Sequence, residues 1–246
     1  MTAPMQALEV GANPVDDGAL ADGRQAVAER RVLSLCDRSG VMVRPWLEAG
    51  WSATIVDIQH GRNGLITRED RLTKVGADVR EWVPLDEFDV VFAFPPCTHL
   101  AASGARWFQE KGLAALIESL QLVEACRRIC ESLTTCWMLE NPHGTLSTYW
   151  RKPDYTFDPC DFGGYLDGGG DRYTKRTNLW CGPGFTMPAV RRVEPVEGSR
   201  MHFVPPGPER ANLRSVTPEG FARAVFEANR HGQAEDLLTP FRTEAS

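Results

Sequence analysis

The stretch FDVVFAFPPCTHL, residues 88–100, decides the fold class. A run of apolar residues ends here in two prolines and a cysteine, Cys97. An apolar run of this length that is followed by turn residues is typical of a buried strand. The prolines fix an extended turn and present the Cys97 thiol at the strand end. Cys97 is therefore a nucleophile, a metal ligand or a thiol in a tight turn.

Similar apolar runs recur along the chain and alternate with helical patterns. Further strands are predicted within RVLSLCDRSG, SATIVDIQHG, KVGADV and TTCWMLENPHG. Helices are predicted for MVRPWLEAGW and for Lys111–Leu133, where apolar residues follow helical spacing. Strands that alternate with helices predict an α/β fold with a mostly parallel sheet and helices on both faces.

Polar side chains follow each of the predicted strands. Because ligands of open α/β sheets bind at the carboxyl ends of the strands, these side chains should meet in one site. The group consists of Asp37, Ser39, Gly40, Asp57, Asp78, Cys97 and Glu140.

The chain divides into a core and less regular parts. Residues 1–29 lack periodicity and predict a mobile leader, and residues 151–212 are rich in Gly, Pro, Tyr and Trp and predict a small irregular lobe. Residues 30–150 form the core, 213–232 a returning helix and 233–246 a tail. Thr217 is the predicted cap of that helix, with Pro218 at its first position.

Composition narrows the class of protein. The 246 residues carry a net charge of −6, so the overall balance does not favour nucleic acid, although a local basic patch remains compatible with DNA. No apolar run approaches the length of about 18 residues that spans a bilayer, and a cytoplasmic protein without a membrane partner is expected. The seven cysteines include no CxxC pair, which predicts free thiols and no metal site.

The turn LCDRSG, between the first strand and the first helix, favours a cofactor site because small residues let backbone N–H groups approach a ligand. Asp57 ends the next strand, where an acid accepts hydrogen bonds from ribose hydroxyls; alternatively it caps a helix. Asp78 is either a cap or a contact to an adenine amino group. The turn lacks GxGxxG and GK[ST], so it is a weak signal alone.

Cys97 and Glu140 suggest a shared chemistry. A nearby helix N-terminus would lower the pKa of Cys97 and favour its thiolate, and His99 is a base, a turn residue or a phosphate contact. Burial would raise the pKa of Glu140, unless it forms a salt bridge or a cap. A protonated Glu beside a thiolate suits nucleophilic addition to a ring whose nitrogen takes the proton.

In this order, the motifs resemble the S-adenosylmethionine-dependent cytosine-C5 DNA methyltransferases. VLSLCDRSG…WLEAGW resembles the first motif of the family, VDIQ the second and DV at 78–79 the third. FAFPPC resembles its Pro-Cys motif, LENP its Glu-Asn motif, and TKRTNLW more loosely its Gln-x-Arg-x-Arg motif. The compressed length is similar to short, phage-type members that lack a large target-recognition domain.

The resemblance implies a Rossmann-like methyltransferase fold, S-adenosylmethionine as cofactor and cytosine in DNA, flipped out of the helix, as substrate. The implied catalytic residues are Cys97, Glu140 and Arg176. The implied cofactor-binding residues are Asp37, Ser39, Gly40, Asp57, Ile58, Asp78, Val79, Phe94 and Pro95. The implied substrate-binding residues are Pro96, Thr98, His99, Asn141, Pro142 and Lys175.

Departures from the family pattern keep other functions open. Arg38 stands where the family has Gly, Thr98-His99 replaces a Gln, and Pro142 replaces a Val. Only about 35 residues separate Arg176 from the C-terminal segment. A free cytosine nucleotide as substrate, or transfer of a group other than methyl, is the first alternative. A non-catalytic module that binds the cofactor or nucleic acid is the second.

Overall fold

The computed structural model describes residues 29–61, 64–199 and 203–231. Eight strands form one sheet in the order β3-β4-β2-β1-β5-β6-β8-β7. The strands are β1 (Arg31–Leu35), β2 (Ser52–Val56), β3 (Leu65–Glu69), β4 (Leu72–Gly76), β5 (Val90–Ala93), β6 (Trp137–Pro142), β7 (Tyr155–Phe157) and β8 (Thr177–Cys181). The helices are α1 (Arg44–Glu48), α2 (Phe108–Leu133), α3 (Leu146–Tyr149), α4 (Arg210–Ser215) and α5 (Glu219–Asn229).

The centre of the sheet is parallel and doubly wound. Strands β4, β2, β1, β5 and β6 run in the same direction, and β1 pairs with β2 on one side and β5 on the other. The chain therefore fills one half of the sheet, returns to the middle and fills the other half. In this topology the ligand crevice lies between β1 and β5, at their carboxyl ends. The predicted Rossmann-like α/β class is confirmed.

Strands β3, β7 and β8 were not predicted from the sequence. Strand β3 forms an antiparallel hairpin with β4 and is exposed throughout, so its residues resemble a polar loop. Strand β8 lies antiparallel between β6 and β7, inside the stretch predicted to be irregular. Its Thr177 and Asn178 are buried although they are polar, and the Asn178 side chain accepts a hydrogen bond from Thr156. Because these buried residues are not apolar, the sequence of β8 lacks the pattern by which a buried strand is recognised.

Helices cover both faces of the sheet. On one face, α1 and α5 pack on an aromatic cluster in which Phe157 stacks on Phe221 with ring centroids 4.2 Å apart. Trp46 of α1 contacts Phe92 of β5 and Phe226 of α5 in the same core. On the other face, α2 packs through Val123, Cys126, Ile129 and Cys130.

The predicted long helix Lys111–Leu133 is confirmed, but α2 begins earlier and is kinked at Gly112, which has a φ of 73°. The prediction for α5 is wrong in its start: Pro218 is the N-cap, the helix begins at Glu219, and Thr217 is buried one residue before the cap. The extended backbone of Pro218, with ψ of 131°, excludes it from the first helical turn.

Parts of the predicted organisation lie outside the described residues, namely the leader except for Glu29 and the tail 233–246. Among the described residues, no helix is both long and apolar enough to cross a membrane, and no group of three metal-binding side chains is present. All seven cysteines are free thiols.

Candidate active site

Four loops follow the parallel strands at one edge of the sheet, and a fifth strand contributes Glu140 there. The loops begin at Cys36 after β1, Asp57 after β2, Ala77 after β4 and Phe94 after β5. The pairing of β1 with β2 and β5, and of β5 with β6, brings these strand ends together. The sheet topology thus places the loops that carry Asp37, Asp57, Asp78 and Cys97 at the carboxyl ends of neighbouring parallel strands.

The turn after β1 is organised by Asp37, which is buried. Its carboxylate accepts hydrogen bonds from Gly40 N (2.7 Å), Ser39 Oγ (3.0 Å) and Ser34 Oγ (2.8 Å). Asp37 was expected to bind a cofactor, but in this structure its oxygens are engaged within the turn. Ser39 donates to Asp37, and Gly40 has a φ of 65°, a region that favours glycine. These residues shape the backbone that faces the crevice.

Asp57 and Ile58 present a polar and an apolar group side by side at the end of β2. Asp57 Oδ1 accepts a hydrogen bond from Gln59 N (2.8 Å) and caps a short 3-10 helix, Ile58–His60. Oδ2 makes no hydrogen bond within the described residues, and burial raises the pKa of this carboxyl. Ile58 is 64% exposed, which is high for an isoleucine. The cap interpretation of Asp57 is thus correct, and its second oxygen is left without a hydrogen-bond partner within the described residues.

Asp78 is held by its neighbour Arg80. The Arg80 backbone N–H and guanidinium bind both carboxylate oxygens, and the side-chain hydrogen bond lowers the pKa of Asp78. An adenine contact from this carboxylate would compete with Arg80. The following residue, Val79, is buried in the core beneath the loop.

The loop after β5 folds around the Cys97 backbone. Leu100 N and Ala101 N both donate to Cys97 O at 2.9 Å, and Lys111 Nζ donates to Thr98 O at 3.0 Å. Pro96 and Thr98 are exposed, while Cys97 is half-buried. The loop is therefore a tight turn that leaves the thiol at the edge of the crevice.

The expectation that a helix N-terminus lowers the pKa of Cys97 is wrong. The segment after the turn is a 3-10 helix that begins at Ala102, and α2 begins only at Phe108. Burial raises the pKa of Cys97, and the Glu140 carboxyl raises it further, while Lys175 opposes both. At neutral pH this thiol is protonated until a change in its surroundings favours the thiolate.

Glu140 lies in β6 with its carboxyl shielded from solvent. Its Oε1 has no hydrogen-bond partner within the described residues, and burial raises the pKa of the carboxyl while Lys175 lowers it less. The predicted direction of this pKa shift is confirmed. A carboxyl in such a place holds its proton more readily than an exposed one and can donate it to a ligand.

A small cavity contains the Glu140 carboxyl. Its volume is about 10 Å³, which is room for about one water molecule. A cavity of this volume is smaller than a pyrimidine ring. The walls are formed by Phe94, Glu140, Phe157, Lys175, Thr177, Ser215, Thr217, Pro218 and Phe221.

Two further buried polar atoms near the Cys97 loop have no partner within the described residues, Asn141 Oδ1 and His99 Nδ1. The Asn141 side chain joins β6 to the loop by donating from Nδ2 to Pro95 O (3.0 Å). Pro142 pairs with Thr177 at the end of β6. Since buried polar atoms are usually paired, unpaired atoms next to Cys97 and Glu140 are what a ligand site requires.

Of the two adjacent cations in TKRTNLW, the structure places Lys175 at the cavity and Arg176 away from it. Lys175 and Thr177 both line the cavity, as residues two apart on an extended chain face the same side. Arg176 is exposed, and its carbonyl accepts from His143 N (3.0 Å). Arg176 was expected to be the central arginine; Lys175 has the position to act on Cys97 and Glu140.

The cavity also contains residues that the sequence did not single out. Ser215 and Thr217 line it from the segment between α4 and α5, and Phe157 and Phe221 supply its apolar wall. The sequence signal for this wall was the segment SVTPEG, whose small polar residues come just before an amphipathic helix. Thr217 was interpreted as a helix cap, because small polar residues are typical both of caps and of the walls of a site.

Comparison with known proteins adds little. No protein-family model and no curated protein matches the chain. Among solved structures, a complex of DhpI with SAH aligns at 16% identity and a TM-score of 0.27, over 63% of this chain and 62% of DhpI. The glycopeptide N-methyltransferase MtfA aligns at 15% identity and a TM-score of 0.26, over 65% of this chain and 70% of MtfA. Likeness at this level carries no statement about the activity of this chain.

Proposed function

We propose that this protein transfers a methyl group from S-adenosylmethionine to C5 of cytosine in DNA, with Cys97 as nucleophile and Glu140 as proton donor. The observation that carries the proposal is the buried carboxyl of Glu140, which lines a cavity with one oxygen unpaired and acts electrostatically on the Cys97 thiol. A structural carboxylate would be paired, whereas a proton donor needs a free hydrogen-bonding position.

The two residues divide the work on the cytosine ring. Cys97 gives up its proton to solvent and its sulfur forms a bond to C6, while Glu140 donates its proton to N3, so that C5 carries the electron pair. After transfer, a base removes the C5 proton, the Sγ–C6 bond breaks, and N3 returns its proton to Glu140. Lys175 favours the thiolate by its charge.

The edge of the sheet fits S-adenosylmethionine. Asp57 has a free Oδ2 for a ribose hydroxyl, and the exposed Ile58 offers an apolar contact to an adenine ring. When bound, the cofactor supplies an electrophilic methyl group. In our proposal Ser39, Gly40, Val79, Phe94 and Pro95 complete the cofactor site, and Pro96, Thr98, His99, Asn141 and Pro142 surround the base. Arg176 and Asp78 are proposed to contact the ligands only at the periphery of the site.

Methyl transfer can be tested with isotope-labelled S-adenosylmethionine and three acceptors: duplex DNA, single-stranded DNA and deoxycytidine monophosphate. We expect label at C5 of cytosine in DNA, lost in Cys97→Ala and in Glu140→Gln. Label at a ring nitrogen, or transfer that persists in Cys97→Ala, would exclude C5 chemistry through this thiol.

A free cytosine nucleotide is the second candidate substrate. The net charge of −6 does not favour a DNA polymer as partner. Residues 177–181 form a strand of the main sheet, so they are not part of a separate DNA-reading domain. Label in the mononucleotide alone would establish this candidate. Cofactor binding without transfer to any acceptor would favour a non-catalytic binding module.

A further inference from the structure

Helix α4 connects the cofactor edge with the cavity. Glu209, the residue before α4, accepts from Arg38 of the β1 turn (2.7 Å), and Asn212 accepts from Gln59 of the β2 turn (3.2 Å). At its other end, Ser215 lines the cavity that holds Glu140. The segment therefore lies across both parts of the site, and its side chains are positioned by the same loops that face the cofactor crevice.

Arg214, next to Ser215, brings a positive charge to this place. It is half-buried, and its charge and that of Lys175 both oppose the burial that raises the pKa of the Cys97 thiol. Two cations from separate segments, α4 and the loop before β8, thus act on the same sulfur. Neither residue is close to the other in sequence, so the fold brings them together.

Neither cation is neutralised by a side chain. Within the described residues, the Arg214 guanidinium and the Lys175 ammonium make no ion pair and no hydrogen bond. By contrast, nearby arginines are paired: Arg38 with Glu209, Arg44 with Glu219 and Arg223 with Glu48. Asp158 Oδ1 accepts a hydrogen bond from the Lys175 backbone N–H and makes none with the Lys175 ammonium.

The acid at the cavity does not cancel this charge. Burial raises the pKa of the Glu140 carboxyl, so this acid offsets the positive charges of Lys175 and Arg214 less readily than an exposed carboxylate would. Half-buried cations without partners attract an anion, and Arg binds phosphate through parallel N–H groups. The cavity itself is too small for a phosphate beside a base, which puts the anion at its rim.

We infer that Arg214 and Lys175 form a binding site for a phosphate group of the nucleotide whose base reaches Cys97. This inference rests on the proposed function, because it takes a nucleotide as the substrate. The phosphate belongs either to a DNA strand or to a free nucleotide, since both offer the same oxygens to the two cations. Arg214 is then a substrate-binding residue contributed by α4, and the contacts to Arg38 and Gln59 hold it in position.

The test follows alkylation of Cys97 by iodoacetamide, measured as mass-labelling of the peptide that contains it, so it needs no methyl transfer. The probes are deoxycytidine, deoxycytidine 5′-monophosphate, inorganic phosphate and a short single-stranded oligodeoxycytidine. We expect at least one of the two nucleotide probes to protect Cys97 at concentrations about 10- to 100-fold lower than deoxycytidine does. Raising the salt concentration should weaken that protection.

Variants assign the effect to the two cations. Arg214→Gln and Lys175→Gln should each remove the advantage of the phosphate, leaving protection equal to that by deoxycytidine, and Arg214→Lys should keep part of it. Arg223→Gln is the matched control, as this exposed arginine of α5 pairs with Glu48 away from the cavity. Equal thermal midpoints of all four variants establish that each is folded.

Each outcome decides the inference. Protection by the oligonucleotide alone identifies a DNA strand as the source of the phosphate, and protection by the monophosphate alone identifies a free nucleotide. Equal protection by deoxycytidine, the monophosphate and the oligonucleotide, no protection by any probe, or full protection retained in Arg214→Gln would overturn it. If phosphate-dependent protection is found while no methyl transfer occurs, the site stands and the proposed activity fails.

Discussion

Replacing Glu140 by Gln should make the protein more stable and inactive. The Glu140 carboxyl is shielded from solvent, has an unpaired Oε1 and carries a pKa that burial raises above 4.5. Folding therefore favours its protonated form. Its contribution to stability is complete below pH 4.5 and is lost as pH rises through the folded-state pKa. Gln keeps the shape and the hydrogen-bonding capacity but cannot ionise.

The size of the effect follows from the cost of an unpaired buried polar group, about 1–3 kcal/mol and more if charged. Lys175 offsets part of that cost. We therefore expect Glu140→Gln to raise the free energy of unfolding by about 1–2 kcal/mol at pH 8, which corresponds to roughly 2–8 °C in a chain of this size. At pH 4.5 the difference should vanish.

Thermal unfolding followed by circular dichroism between pH 4.5 and 8.5 measures this difference, with methyl transfer measured on the same samples. Glu87→Gln, a change at an exposed glutamate in the loop before β5, serves as control and should show no such pH-dependent gain. A Glu140→Gln protein that is less stable than the parent at pH 8 would refute the claim that burial raises the pKa of this carboxyl. A difference in stability between the two proteins that does not change with pH would refute it as well.

Three further predictions concern other parts of the molecule. The rate of Cys97 alkylation should continue to climb above pH 9, where an ordinary thiol levels off, because its pKa is raised; Cys136, buried and with its pKa raised to about 11, should stay unlabelled in the folded protein. Gly112→Ala should cost about 1–3 kcal/mol in denaturant unfolding, because the φ of 73° is unfavourable for alanine although its Cβ would meet no atom within 4 Å. Asp57→Asn should weaken S-adenosylmethionine binding about tenfold by calorimetry while Asp37→Asn lowers the thermal midpoint, since Asp57 has a free oxygen and Asp37 has none.

The parallel strands and the edge at which they meet were predictable because each is an apolar run followed by a polar turn. Strand β5 with Cys97 and strand β6 with Glu140 are of this kind, and both lie where the pattern puts them. Strand β3 was missed because all its residues are exposed, and β8 because Thr177 and Asn178 are buried but polar. The pattern of apolar residues in a sequence indicates which positions are buried only when the buried side chains are apolar.

The details of the site depended on contacts between distant segments. Lys175 lines the cavity of Glu140 and Arg176 does not, a difference that the two adjacent letters do not reveal. The engagement of Asp37 depends on Ser34 and Gly40 being within reach of its oxygens. The pKa of Cys97 was predicted in the wrong direction because the nearest helix end lies at Phe108, beyond a 3-10 segment. Arg214 reaches the site only through the docking of α4 on the turns after β1 and β2.

The central claim is that Cys97 forms a covalent bond to a cytosine ring. DNA in which cytosine is replaced by 5-fluorocytosine tests this claim directly, because fluorine cannot leave C5 as a proton does, and the adduct is trapped after transfer. We predict a stable protein–DNA adduct in the presence of S-adenosylmethionine, mapped by mass spectrometry to Cys97 and not formed by Cys97→Ser. An adduct on another residue, or transfer to cytosine in DNA with no trapping by the fluorinated DNA, would contradict the account.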